Sequence, residues 1–93
     1  MLKVNEYFGG SVKSIAVENE EGLATVGVME AGEYEFGTST VEIMTITGGT
    51  LEVMLPGENQ WIKYTKGEIF GVDKDLKFKV KALAPVAYHC QYK

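Results

Sequence analysis

Residues 32–49 read GEYEFGTSTVEIMTITGG. Successive side chains of a strand point to opposite faces. Read that way, Tyr34, Phe36, Thr38 and Thr40 share one face and Glu33 and Glu35 share the other. Two acids alternating with two aromatics describe a wet outside and a packed inside. The second half, EIMTIT, repeats the pattern with one difference. Glu42 falls on the same face as Met44 and Ile46. A carboxylate among apolar neighbours is costly unless it reaches solvent or a hydrogen-bond partner. Glu42 is therefore either the wet end of a strand or a working group. Thr38 poses the same question, since an inward hydroxyl needs a backbone partner or a ligand.

The alternation extends outward in both directions. Leu51, Val53 and Leu55 alternate with Glu52 and Met54. Leu76, Phe78 and Val80 alternate with Lys77, Lys79 and Lys81. Tyr88, Cys90 and Tyr92 alternate with His89, Gln91 and Lys93. Glycines punctuate these runs at Gly9-Gly10, Gly22, Gly32, Gly48-Gly49, Gly57 and Gly67. Short alternating runs between frequent turns predict an all-β sandwich or barrel. LPGENQW (55–61) is a loop. Only Val4 to Phe8 offers a candidate helix, too short to stand alone. No repeat or linker divides the chain, so 1–93 reads as one domain.

Composition narrows the function classes. A net charge of −4 argues against non-specific nucleic-acid binding, which relies on Lys and Arg neutralising phosphates. All nine basic residues are lysines, so an anion would be held by Lys, hydroxyls or backbone N–H groups rather than a guanidinium fork. The single cysteine, Cys90, permits no intrachain disulfide and suits a reducing compartment. No stretch approaches a signal peptide or a membrane span. The expectation is a cytoplasmic protein with no membrane or nucleic-acid partner.

The remaining candidates have plainer readings. A zinc or iron site needs three or four His, Cys or carboxylate ligands. His89 and Cys90 are adjacent, so on a strand they face apart and neither ligate together nor form a nucleophile–base pair. No metal is expected. The Lys77, Lys79, Lys81 stripe reads as a wet face that discourages edge pairing. Trp61 reads as a cap on the core or a stacking platform, and Cys90 as a small buried filler.

Several segments together resemble one family: NEYF (5–8), VKSI (12–15), GVMEAGEYEFGT (27–38), EIMTITGGTLEV (42–53), LPGENQW (55–61) and AYHCQY (87–92). They are similar to the small single-domain cupins known as pyrimidine/purine nucleoside phosphorylases, over nearly the whole chain. The cupin pattern is G-x5-H-x-H, three or four residues, Glu, six residues, Gly. Gly32, Glu42 and Gly49 match it, with a shortened gap before Glu42. Thr38 and Thr40 stand at the two His positions, and Phe78 stands at the His of the second motif, which Gly67 opens. One segment departs from the family: Asp73 and Leu76 stand where relatives commonly carry Pro-x-x-Ser.

The resemblance implies a single-domain cupin, a double-stranded β-helix or jelly-roll barrel, and a homodimer. It implies phosphorolysis of purine and pyrimidine nucleosides to free base and (deoxy)ribose 1-phosphate, a pentosyl transfer with phosphate as co-substrate and no other cofactor. Motif position and strand parity then single out Glu42 and Thr38 as candidate catalytic residues. Thr40 becomes a candidate for phosphate or sugar oxygens, and Tyr34, Phe36 and Met44 candidates for the substrate pocket wall. The competing expectation is a metal-free cupin that binds a nucleoside or sugar without turnover.

Overall fold

Ten strands account for most of the chain in the computed structural model, which describes residues 1–93. They are β1 (Val4–Tyr7), β2 (Val12–Asn19), β3 (Gly22–Met29), β4 (Gly32–Gly37), β5 (Glu42–Gly48), β6 (Thr50–Met54), β7 (Ile62–Thr65), β8 (Ile69–Val72), β9 (Lys77–Ala82) and β10 (Val86–Tyr92). Val4 to Tyr7 is a strand, and the candidate helix over Val4 to Phe8 does not form. The strand pairs as β1 with β2 through Tyr7↔Val12 and then closes in a 3-10 turn at Phe8–Gly10. Backbone pairing to a neighbouring strand overrides a local pattern of four or five residues. No helix is long and apolar enough to cross a membrane.

Two antiparallel sheets face each other. One has the order β1-β2-β3-β10-β5-β8 and the other β4-β9-β6-β7. Their facing sides bury Val12, Met29, Met44, Ile46, Phe70 and Val86 from the first sheet and Leu51, Val53, Phe78 and Val80 from the second. This is the alternation read from the sequence, closed on itself as a jelly-roll sandwich. The turn from β5 to β6 requires glycine. Gly49 has φ +86°, and a Cβ there would meet the Pro85 carbonyl at 3.0 Å.

The outward side of the four-stranded sheet is a charge ladder. Glu33 lies opposite Lys81, Lys81 opposite Glu52, and Glu52 opposite Lys63, with Glu35 opposite Lys79 in the next row. The lysine stripe is thus a solvated face. Lys81 also covers the Trp61 ring, 4.5 Å from its centroid.

Candidate active site

The site lies on the inward side of the six-stranded sheet, where register decides which side chains meet. Tyr92 pairs with Glu42, and Cys90 with Met44, across β10 and β5. Cys90 and Glu42 are therefore diagonal neighbours on one face, close enough for the Cys90 thiol to donate to Glu42 Oε1 at 3.4 Å. On the other flank of β10, Cys90 pairs with Thr25 and Tyr88 with Gly27 of β3. The Tyr92 and Thr25 hydroxyls are 3.0 Å apart and share a hydrogen bond. Gly27 leaves room for the Tyr88 ring, since a Cβ there would stand 2.5 Å from Tyr88 Cζ and Oη. The ring lies over that gap, with its hydroxyl turned to Ser14.

These groups line a cavity of about 150 Å³. Its wall includes Ser14, Phe36, Glu42, Met44, Phe78, Tyr88, Cys90 and Tyr92, with Tyr7 among the remaining lining residues. A second, more open cavity of about 310 Å³ lies beside it, sharing Tyr7 and Tyr92 and adding Asn5, Ala16, Thr25, Ser39 and Thr40.

Glu42 is the only charged side chain lining either cavity. Burial raises its carboxyl above the ordinary value, and the thiol hydrogen bond from Cys90 partly offsets this. Burial and the neighbouring carboxylate push the Cys90 thiol up to about 12, so it stays protonated and serves as a donor. Burial pushes the Tyr88 phenol up to about 12 as well, and raises Tyr92. One carboxyl thus sits among neutral O–H and S–H groups, a setting suited to hydroxyl-bearing ligands.

The structure brings Glu42, Phe36 and Met44 together at the inner cavity. Thr40 lies beyond the end of β4 and opens onto the outer one, its hydroxyl donating to the Val41 carbonyl. Tyr34 is in the core instead, and its hydroxyl donates to the Glu30 carbonyl at 2.8 Å. Strand parity therefore holds from Tyr34 to Phe36 and fails after Gly37, where β4 ends.

Thr38 is buried away from both cavities and fastens the 73–76 loop. Its hydroxyl donates to the Asp73 carbonyl at 2.7 Å and accepts from the Leu76 N–H at 3.1 Å. Its backbone bonds Leu76 and Asp75 as well. These contacts reach backbone atoms of the loop, so they form whatever side chains stand at 73 and 76.

Tyr7, Ser14, Tyr88 and Tyr92 line the site although no sequence motif marks them. The Tyr88-Cys90-Tyr92 parity was the available signal, but it marks a face and not what faces it. No three His, Cys, Asp or Glu side chains come together. The three histidine positions of the cupin pattern hold Thr38, Thr40 and Phe78, and only Phe78 lines the inner cavity with Glu42, a donor set that does not fit a transition-metal ion.

The family model for pyrimidine/purine nucleoside phosphorylase matches residues 2–92. The chain belongs to the pyrimidine/purine nucleoside phosphorylase family. A relative of that name from Pseudomonas entomophila is 55% identical over 100% of this chain and 99% of its own length. One from Pseudomonas aeruginosa is 53% identical over the full length of both. Among solved structures, a Vibrio parahaemolyticus protein of unknown function is similar at TM-score 0.95 and 40% identity, covering 100% of this chain and 99% of that one. An RmlC-like cupin from Shewanella frigidimarina matches at TM-score 0.77 and 17% identity, over 98% and 82% of the two chains. That likeness gives the fold alone. Within the nucleoside phosphorylase family, the expected cupin architecture is thus present, with hydroxyls and one carboxylate lining its cavity.

Proposed function

We propose that this chain phosphorolyses purine and pyrimidine nucleosides, releasing free base and (deoxy)ribose 1-phosphate without a metal. Family membership supports a nucleoside phosphorylase, and the observation that carries the chemistry is Glu42 in a cavity otherwise lined by neutral groups. A phosphate oxygen forms a bond to C1′ as the C1′–N bond breaks. The electron pair stays on the base nitrogen, which takes up the proton that hydrogen phosphate gives up, directly or through solvent. Phosphate is already nucleophilic at neutral pH, so placement and electrostatics supply most of the rate. An ionised Glu42 beside the sugar holds ribose hydroxyls and favours the positive charge that develops at C1′, as carboxylates do in glycoside cleavage. With no cation lining the cavity, Ser14 and the phenols supply donors for phosphate or sugar oxygens. The cytoplasmic location belongs to the same reading.

Incubating the pure protein with uridine or inosine and phosphate tests this. Phosphate-dependent release of both bases is expected. Tight binding of either nucleoside without turnover would instead support a binding module. For Glu42→Gln, kcat should fall about 10²-fold or more, the scale of losing one preorganised electrostatic group. Near-normal turnover by a folded Glu42→Gln protein would remove Glu42 from the mechanism.

A further inference from the structure

The two cavities differ in what they can hold. Small-molecule sites usually occupy about 300–1,000 Å³. The inner cavity, at about 150 Å³, is below that range, whereas the two cavities together lie within it. The outer cavity, at about 310 Å³, stands at the lower edge of the range, so a nucleoside whose sugar reaches Glu42 overfills the inner cavity and extends into the outer one. Glu42 and Ser14 line only the inner one, and Asn5, Ala16 and Thr40 only the outer one.

The shared boundary is aromatic. Tyr92 is fixed by its hydrogen bond to Thr25. Tyr7 is 47% exposed at the end of β1. The turn that follows it is anchored by Phe8, which packs on Tyr34 and Phe36 with centroids 5.0 and 5.5 Å away. An exposed aromatic ring held at the edge of a cavity is a stacking platform for a planar ligand.

We propose that the outer cavity is the nucleobase subsite, with the base stacked at Tyr7 and Tyr92 and its edge beside Asn5 and Thr40, while the sugar and phosphate occupy the inner cavity. This rests on the phosphorylase reading. The subsite explains tolerance of both base classes. Its open side accepts one ring or two, and its few polar groups make no complete pattern against a base edge.

Two of the test variants narrow the outer cavity at residues that do not line the inner one. Ala16→Leu and Thr40→Leu are each assayed for kcat/KM on inosine and on uridine, with folding checked by circular dichroism. The larger purine should lose at least about tenfold more than the pyrimidine, the scale of one or a few methylenes in a pocket. Thr40 lies outside the strands, so its variant carries the test if Ala16→Leu does not fold. Tyr7→Ala should raise KM for both nucleosides by about tenfold, with Tyr7→Phe restoring it. If the wild-type protein turns over both nucleosides and the variants lower both equally or not at all, the base subsite is wrong and the phosphorylase reading stands. If the wild-type protein releases neither base, the phosphorylase reading fails and the subsite with it.

Discussion

Glu42 and Thr38 belong to one motif and have separate fates. Burial favours the neutral form of Glu42, so its folded pKa lies above the unfolded value of 4.5. Below that value the carboxyl is neutral in both states and its contribution to stability is fully present. As pH rises through the folded value the contribution is lost, because the unfolded chain ionises more readily. Glu42→Gln should therefore raise the melting temperature more at pH 7 than at pH 4. An equal change at both, by differential scanning fluorimetry, would contradict the burial of this group. Thr38 is a structural clamp. Thr38→Val keeps the shape but strands the Leu76 N–H and the Asp73 carbonyl. It should cost about 0.5–1.5 kcal/mol in urea denaturation, the usual net worth of a lost hydrogen bond whose partners on the loop reach solvent. A cost below a few tenths would mean that the 73–76 loop holds itself.

Strand β10 is the element around which the site is assembled. It lies between β3 and β5, presenting Tyr88, Cys90 and Tyr92 inward to both neighbours. Its contact with β3 depends on Gly27 having no side chain. Gly27→Ala should push the Tyr88 ring out of the cavity wall and cost about 1–3 kcal/mol, as overpacking does. Activity should fall beyond what lost folding explains. A melting temperature and kcat both equal to wild type would show that the ring tolerates the extra carbon. Strands β4, β9, β6 and β7 play a different part. Their inner side chains fill the core, and their outer rows alternate in charge.

At the scale of the molecule, the outward side of the six-stranded sheet is unlike a solvated face. One cross-strand row runs Val4, Ile15, Val26, His89, Thr45, Ile69. Val4 and Val26 are each 52% exposed, and Val28 in the next row is also 52% exposed. An antiparallel sheet with one side in water usually carries polar residues there. The charges on this face are Glu6 and Lys13, which pair with each other at 3.1 Å. A neutral apolar face suits a second copy of a chain whose net charge is −4. We propose that the homodimer implied by the family resemblance forms through this face. Sedimentation should give about twice the 10.2 kDa chain mass, and Val26→Lys should return a monomer. A wild-type monomer at micromolar concentration would overturn this.

Alternation at period two is a local property, so the sequence by itself determined β4, β5, β6, β9 and β10, the all-β class and the inward placement of Phe36, Glu42 and Met44, while β1 formed where the local pattern had suggested a helix. The cupin expectation came from the family resemblance, summed over segments that run along nearly the whole chain, with Gly32, Glu42 and Gly49 among the positions that match. Parity counts only while the chain stays extended. β4 ends at Gly37, and the tertiary structure decided that Thr38 binds a loop and Thr40 reaches a different cavity. Only register between distant strands placed Cys90 against Glu42 and Tyr88 over Gly27. That register is fixed by burying both sheets at once, a condition no short stretch of sequence contains.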